Sequence, residues 1–303
     1  MTVFPKFLQP GDQVAIVSPS GPINSSYIER GTEILERWGL QVWTAPHVCA
    51  RSGVFAGTDE ERSADMQTAL NNPEIRAIFC SRGGYGAIRI VEQLDYTAFL
   101  QNPKWIAGFS DITVFHSKIN TLGVASIHGA MPKNFETIHA GSLQSLHDIL
   151  FGMQKTIEWR ASNYNKRGTA RGALVGGNLS VLYSIRGLSL EYDYKGAILF
   201  IEDLNEYVYH IDRMMQNLKL SGILSQLSGL VVGGMTDMKQ GVDEYRTSIE
   251  TLVSDVCKEY DFPIAFDFPS GHGAENEAFI VGQMYALHVG EESATLAQLN
   301  ETT

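Results

Sequence analysis

Cysteine, positive charge and long hydrophobic runs are all scarce in this 303-residue sequence. The three cysteines, Cys49, Cys80 and Cys257, are scattered and lack C-x-x-C spacing, which argues against a disulfide framework and a zinc site. No apolar run approaches the ~20 residues that cross a bilayer, and the N-terminus lacks the apolar core of a signal peptide. We therefore expect a cytoplasmic protein with no membrane partner.

Basic residues are outnumbered by acidic ones. The chain has 23 Lys and Arg against 34 Asp and Glu, a net charge of −11. This balance argues against nucleic acid as the main partner, because binding to phosphates needs a basic surface. The sequence also lacks H-E-x-x-H, a tight His/Asp cluster and the G-x-G-x-x-G dinucleotide fingerprint. We expect no metal and no cofactor.

The length exceeds that of one ordinary core, so two domains are expected. Residues 1–155 alternate strand and helix patterns, which predicts an α/β domain with a parallel sheet. The predicted strands cover 13–18, 41–45, 76–80, 105–109 and 124–128. Ligands of such sheets bind beyond the carboxyl ends of the strands.

The second half predicts a smaller α+β domain. Residues 156–171 interrupt the pattern with polar and aromatic side chains, so we interpret them as a linker before a domain at 172–303. Strands are predicted at 197–201, 230–232 and 264–268. Residues 278–289 alternate around Gly282 and predict a hairpin.

Ser110 lies at the junction between a predicted strand and a predicted helix, in the stretch G-F-S-D-I-T. A side chain there projects above the sheet, beside the unpaired N–H groups of the first helical turn. Hydrolases present a serine nucleophile in this way, although their G-x-S-x-G motif is absent because Ile112 replaces the second glycine. A helix N-cap is the alternative interpretation.

A glycine-rich loop, S-R-G-G-Y-G at 81–86, follows another predicted strand. Its glycines allow close backbone approach and direct N–H groups at an anion such as a phosphate, a carboxylate or an oxyanion. A tight turn that needs positive φ explains the same residues.

A serine nucleophile needs a base, and the base needs an acceptor on its other nitrogen. Glu202 and Asp203 end a predicted strand, and His272 lies in a second glycine-rich loop, S-G-H-G. The alternative interpretation of Glu202 and Asp203 is a helix cap, and that of His272 is an exposed histidine. His116 and His128 are rival bases in the first domain.

Taken together, these segments resemble the LD-carboxypeptidase family, serine peptidases of the S66 type that also include microcin C self-immunity peptidases. The matching motifs span nearly the whole chain. They are P-G-D-Q-V-A-I-V-S-P-S-G (10–21), S-R-G-G-Y-G-A-I-R (81–89), G-F-S-D-I-T (108–113), H-G-A-M (128–131), G-A-L-V-G-G-N-L-S (172–180), L-F-I-E-D (199–203), Y-H-I-D-R (209–213) and S-G-H-G (270–273). The family often has H-G-P-M where this chain has Ala130.

The resemblance implies a catalytic triad with Ser110 as nucleophile, His272 as base and Glu202 as the orienting carboxylate. It also implies an oxyanion hole made by the backbone N–H groups of Gly84 and Asp111. The implied fold is a Rossmann-like N-terminal domain and a smaller C-terminal domain, with the active site at their interface, usually in a homodimer.

The implied activity is removal of terminal D-alanine from murein tetrapeptides during peptidoglycan recycling, so a muropeptide is the expected substrate. From its charge and position, Arg82 is a candidate contact for the substrate carboxylate, although a surface arginine is the simpler interpretation. An immunity peptidase that acts on peptidyl or aminoacyl nucleotides is an alternative. The short region 159–171, with Trp159 and Tyr164, favours the murein substrate. A binding module that holds an anion in the Gly84 loop, without catalysis, is a third hypothesis.

Overall fold

A computed structural model describes residues 2–241 and 247–299 of the chain. The described residues form 13 strands and nine α-helices. The strands are β1 Gln13–Val17, β2 Gln41–Thr44, β3 Ile75–Cys80, β4 Trp105–Gly108, β5 Ser126–His128, β6 Thr156–Arg160, β7 Gly168–Asn178, β8 Ile198–Leu204, β9 Gly229–Thr236, β10 Ile264–Ala265, β11 Phe279–Val281, β12 Met284–Val289 and β13 Ser293–Gln298. The helices are α1 Ser25–Arg37, α2 Asp59–Asn71, α3 Ala87–Ile90, α4 Thr97–Gln101, α5 Thr113–Thr121, α6 Ala140–Leu150, α7 Leu179–Ser184, α8 Val208–Leu220 and α9 Ile249–Cys257.

The chain divides into two compact units. The first contains residues 2–153 and Asn276–Val281, and its sheet has the order β2-β1-β3-β4-β5-β11. The first five strands are parallel, and β11 adds an antiparallel edge. This 2-1-3-4-5 order is that of flavodoxin-like doubly wound sheets, which bind ligands where the strand order reverses, between β1 and β3. The predicted α/β class with a parallel sheet is confirmed.

The second unit contains residues 154–241, 247–275 and 282–299. Its sheet has the order β10-β9-β8-β7-β12-β13-β6. Strands β7 to β10 are parallel, whereas β12, β13 and β6 are antiparallel. The α7 and α8 helices pack on each other, and α8 packs on α9. The parallel half carries the carboxylate and histidine motifs.

Two predictions about local structure were wrong. The proposed linker at 156–171 contains β6 and the start of β7, because Ile157 and Trp159 alternate with exposed residues and enter the core. The hairpin at 278–289 does not form. Instead, β11 pairs with β5 in the first unit, and β12 pairs with β7 and β13 in the second. Gly282, at φ 88°, marks the change of unit between these strands.

Within the described ranges, no helix is long and apolar enough to cross a membrane. In the same ranges, no group of three or more His, Cys, Asp or Glu side chains is arranged to hold a metal ion.

Candidate active site

Ser110 occupies a strained corner immediately after β4. Its φ is 65°, in the left-handed region that a non-glycine residue adopts at a cost of roughly 1–2 kcal/mol. The strand ends at Gly108, a short 3₁₀ turn covers Ser110–Ile112, and α5 follows. The side chain is only half-buried, although its neighbours Phe109 and Asp111 are buried. Such strain commonly marks a functional residue, and it is how a nucleophile elbow exposes its hydroxyl.

The glycine-rich loop packs directly against this corner. A Cβ atom at Gly83 would lie 2.8 Å from the Ser110 Oγ and 3.3 Å from the Asp111 backbone nitrogen, so only glycine fits there. Gly84 has φ 112°, which likewise favours glycine. Among the residues that the structure describes, the Gly84 N–H donates no hydrogen bond. The Asp111 N–H lies in the first turn of the 3₁₀ segment, where donors lack partners within the helix.

The Asp111 side chain ties the glycine-rich loop to the nucleophile corner. Its Oδ2 accepts a hydrogen bond of 2.9 Å from the Ala87 backbone N–H. Burial raises the pKa of the Asp111 carboxyl, and the nearby Ser20 hydroxyl, the backbone N–H groups of Ala87 and Gly86 and the Arg62 charge oppose that shift. The side chain of Asp111 therefore positions the loop, whereas its backbone N–H remains the oxyanion candidate.

A buried arginine holds the same loop from its other side. Arg62 is 1% exposed, and its guanidinium donates hydrogen bonds to the carbonyl oxygens of Pro19 and Gly86. It also pairs with Asp59. Sequence reasoning missed Arg62, because its position inside α2 gives no sign that it faces two loops at the edge of the sheet.

Glu202 and His272 form a hydrogen-bonded pair in the second unit. The His272 Nδ1 and the Glu202 Oε2 are 2.6 Å apart, and the Glu202 side chain is fully buried. Gly271, at φ 129°, allows this approach, since a Cβ there would lie 3.1 Å from the Glu202 carboxylate. A carboxylate on Nδ1 fixes the tautomer and leaves Nε2 as the nitrogen that can accept a proton.

Asn178 and Asp203 support this pair. Asn178 donates hydrogen bonds to the Glu202 Oε1 and the Asp203 Oδ1, at 3.3 and 3.0 Å. Asp203 also accepts the Ser180 N–H at the start of α7. Burial raises the pKa of Asp203 to about 6, and the neighbouring Glu202 charge adds to the shift. Asp203 thus supports the first turn of α7, whose N-cap is Asn178, and Glu202 is the partner of the histidine. The sequence motif G-G-N-L-S contained Asn178, but only its contacts assign it a role.

The two rival histidines are structural. Both nitrogens of His116 are engaged, Nε2 with the Gly108 carbonyl at 2.9 Å and Nδ1 with the Ser126 hydroxyl at 2.8 Å. His128 is fully buried, is 3.2 Å from the Asn276 Oδ1 and stacks on Phe279. Neither imidazole has the solvent access that a general base needs.

The His116 contacts predict a pH-dependent stability. Burial lowers the pKa of His116 to about 4, below the 6.5 of an unfolded chain. Protons therefore bind the unfolded chain first, and stability is lost as the pH falls from 6.5 towards 4. We expect the wild type to lose about 2 kcal/mol more free energy of unfolding than His116→Gln between pH 7 and pH 5. Urea unfolding at both pH values measures this, with His288→Gln on an exposed residue as the control. Equal losses in wild type and His116→Gln would contradict the assignment.

With these geometries established, comparison with known proteins defines the class. The sequence profile of the LD-carboxypeptidase N-terminal domain matches residues 14–129, and that of the LD-carboxypeptidase C-terminal domain matches residues 171–287. Together the profiles cover more than half of the chain, which therefore belongs to the LD-carboxypeptidase family of serine peptidases.

Individual relatives agree with this assignment. The chain is 32% identical to a probable murein peptide carboxypeptidase of Bacillus subtilis, over 96% of this chain and 93% of the relative. It is 31% identical to the murein tetrapeptide carboxypeptidase of Pseudomonas aeruginosa, over 92% and 94%. The muramoyltetrapeptide carboxypeptidase from Oxalobacter formigenes has a TM-score of 0.87 at 28% identity, over 96% and 100%.

A microcin C7 self immunity protein in complex with aspartyl sulfamoyl adenosine has a similar fold. Its TM-score is 0.86 at 21% identity, over 98% of this chain and 99% of the other. At this identity the similarity concerns the fold alone.

Proposed function

We propose that this protein is an LD-carboxypeptidase that releases the terminal D-alanine of murein tetrapeptides, using Ser110, His272 and Glu202 as its triad. The observation that carries the proposal is the Glu202–His272 pair, 2.6 Å between carboxylate and imidazole, in a chain of this family. The left-handed conformation of Ser110 supports its role as nucleophile. The relatives named for murein peptides support the substrate class.

In the proposed reaction, the Ser110 Oγ attacks the carbonyl carbon between the L-centre of diaminopimelate and D-alanine, and its proton passes to the His272 Nε2. The tetrahedral intermediate then breaks its C–N bond as His272 returns the proton to the leaving amine. Water attacks the resulting ester, gives a proton to His272, and the serine leaves with that proton. Glu202 stabilises the imidazolium throughout, because its carboxylate contacts Nδ1.

The negative oxygen of the intermediate needs preorganised donors, and we propose the N–H groups of Gly84 and Asp111. Support comes from the contact of the glycine-rich loop with the Ser110 corner. Loss of one such donor typically lowers the rate about 10²- to 10³-fold. This role accounts for the loop without a phosphate ligand. Arg82, in the same loop, is proposed to contact the substrate carboxylate.

The substrate assignment predicts a stereochemical preference. We expect the wild type to release D-alanine from L-Ala-γ-D-Glu-meso-diaminopimelyl-D-Ala with the kcat/KM of an ordinary enzyme, about 10⁴ M⁻¹ s⁻¹ or more. The matched peptide that ends in L-alanine should be cleaved at least about 100-fold more slowly. Chromatographic measurement of released alanine tests both. Preferential cleavage of the L-alanine peptide would refute the proposal.

The nucleotide-peptide alternative finds less support. In a nucleotide-binding member, aromatic side chains would have to be available to stack on the base, but Trp159 is 8% exposed and its Nε1 donates to the Phe266 carbonyl. Tyr164 is exposed and contacts Phe266. Assay of an aminoacyl sulfamoyl adenosine beside the tetrapeptide separates the two substrates. The non-catalytic binding hypothesis instead requires that neither is turned over.

The proposal places the enzyme in the cytoplasm, in peptidoglycan recycling, and as a homodimer. The three cysteines are unpaired, as is usual for a reducing compartment. The dimer follows from the family resemblance, and light scattering after size-exclusion chromatography measures it.

A further inference from the structure

Two cations of the first unit, one in the glycine-rich loop and one beside it, have no carboxylate partner among the described residues. Arg82 donates from Nη1 to the Pro22 carbonyl at 3.0 Å and from Nε to the Gly83 carbonyl at 3.2 Å, and carbonyl oxygens do not neutralise its charge. The backbone N–H of Lys133 donates to the Ser81 carbonyl at 3.0 Å, which fixes Lys133 next to the loop. Within residues 2–241 and 247–299, neither cation forms an ion pair.

These two charges influence each other. Burial lowers the pKa of the Lys133 ammonium, and the positive charge of Arg82 lowers it further. Both side chains are half-buried. Among the other basic groups of the first unit, Arg30 and Lys118 are neutralised by Glu136 and Glu92, whereas the Lys104 ammonium donates to the Ala69 and Asn72 carbonyls. Two neighbouring cations without a counter-ion, in a chain of net charge −11, are the arrangement expected where a bound anion completes the site.

The pair is close to the nucleophile. Arg82 directly precedes Gly83, whose Cβ position would lie 2.8 Å from the Ser110 Oγ. The Arg82 Nη2 is 3.6 Å from the corresponding position at Gly84, the residue proposed to donate to the oxyanion. The Arg82 guanidinium therefore lies against the glycine-rich loop, which itself contacts the Ser110 corner.

We propose that Lys133 and Arg82 together form a carboxylate subsite that binds the free α-carboxylate of the leaving D-amino acid. The inference rests on the proposed function and extends it by assigning Lys133, which no sequence motif indicated. It gives a physical reason for cleavage at the chain end, since a peptide without a terminal carboxylate leaves both cations unneutralised. The carboxylate is attached to the leaving group, so the subsite positions the scissile bond.

The test compares the tetrapeptide acid with the same peptide carrying a terminal D-alaninamide. We expect the wild type to prefer the acid by about 100-fold in kcat/KM. Lys133→Met should lower kcat/KM for the acid about 10- to 100-fold, because this is the range lost with a hydrogen bond to a charged group. For the amide, Lys133→Met should stay within about twofold of wild type, so the preference collapses. Lys133 is the better probe, because Arg82 also braces the loop.

Lys118→Met is the matched control, since Lys118 already has Glu92 as its counter-ion, and it should retain the full preference. Equal cleavage of acid and amide by wild type overturns the subsite and leaves the proposed function intact. If the wild type cleaves neither peptide, the proposed function is refuted. Calorimetric measurement of the binding of both peptides to the Ser110→Ala protein then decides the subsite. The subsite is supported if the acid binds more tightly than the amide and if this difference disappears when Lys133→Met is added. Equal affinity for the two peptides overturns it.

Discussion

Replacement of Ser110 by alanine is expected to lower kcat for D-alanine release by about 10⁴- to 10⁶-fold, the loss seen when a triad nucleophile is removed. The physical reason is that the substitution removes the hydroxyl at the left-handed corner beside Gly83. Because alanine removes one oxygen atom from a half-buried position, the variant should unfold at nearly the wild-type temperature. Single-turnover kinetics and thermal unfolding on the same preparation measure both.

The matched control is Ser26→Ala, in an exposed position in the first turn of α1, which should retain wild-type kcat. Retention of more than about one-tenth of wild-type kcat by Ser110→Ala would remove Ser110 from the mechanism.

Disruption of the Glu202–His272 pair is the second large effect. We expect His272→Ala to lower kcat by about 10⁴- to 10⁶-fold and Glu202→Gln by about 10³- to 10⁴-fold. The glutamine variant keeps the shape of the side chain but loses the charge that stabilises the imidazolium. The double variant should be hardly worse than His272→Ala, because residues that act as one unit are not additive. Steady-state kinetics on the three proteins measures this.

The chain supplies its own control for these variants. Glu206 and His210 form a second carboxylate–imidazole pair in the same unit, also 2.6 Å from Oε2 to Nδ1, but one helical turn apart and more exposed. Glu206→Gln and His210→Ala should leave kcat within about threefold. A similar loss from both pairs would show that the effect arises from the stability of the second unit.

The alternation of strand and helix patterns in the sequence was enough to predict much of the first unit. Apolar stretches bounded by glycine and proline predicted β1 to β5, and each strand was found at or near its predicted place. The hairpin failed for a physical reason: local alternation shows that residues form strands but not which strands they pair with. The antiparallel pairing of β11 with β5 joins residues about 150 positions apart, and no local pattern contains that information.

Some features of the candidate site could likewise be predicted from the sequence, and others could not. The corner at Ser110 and the glycine loops are local features, so their turn chemistry is visible in the sequence. The strand pattern alone left Glu202 and Asp203 as alternatives, because neighbouring carboxylates of one strand differ only in the face to which they point, and only the family resemblance favoured Glu202. The structure directs Asp203 to the start of α7 and Glu202 to His272. Arg62 and Lys133 were equally invisible, since their roles depend on loops distant in sequence.

The most direct test of the account is the site and rate of labelling by a fluorophosphonate, a reagent that labels a serine activated by a base. Peptide mass mapping should find the adduct on Ser110, and the second-order rate of labelling should fall at least about 10³-fold in His272→Ala. An adduct on another residue, or an undiminished rate in His272→Ala, would contradict the proposal that these two side chains work together.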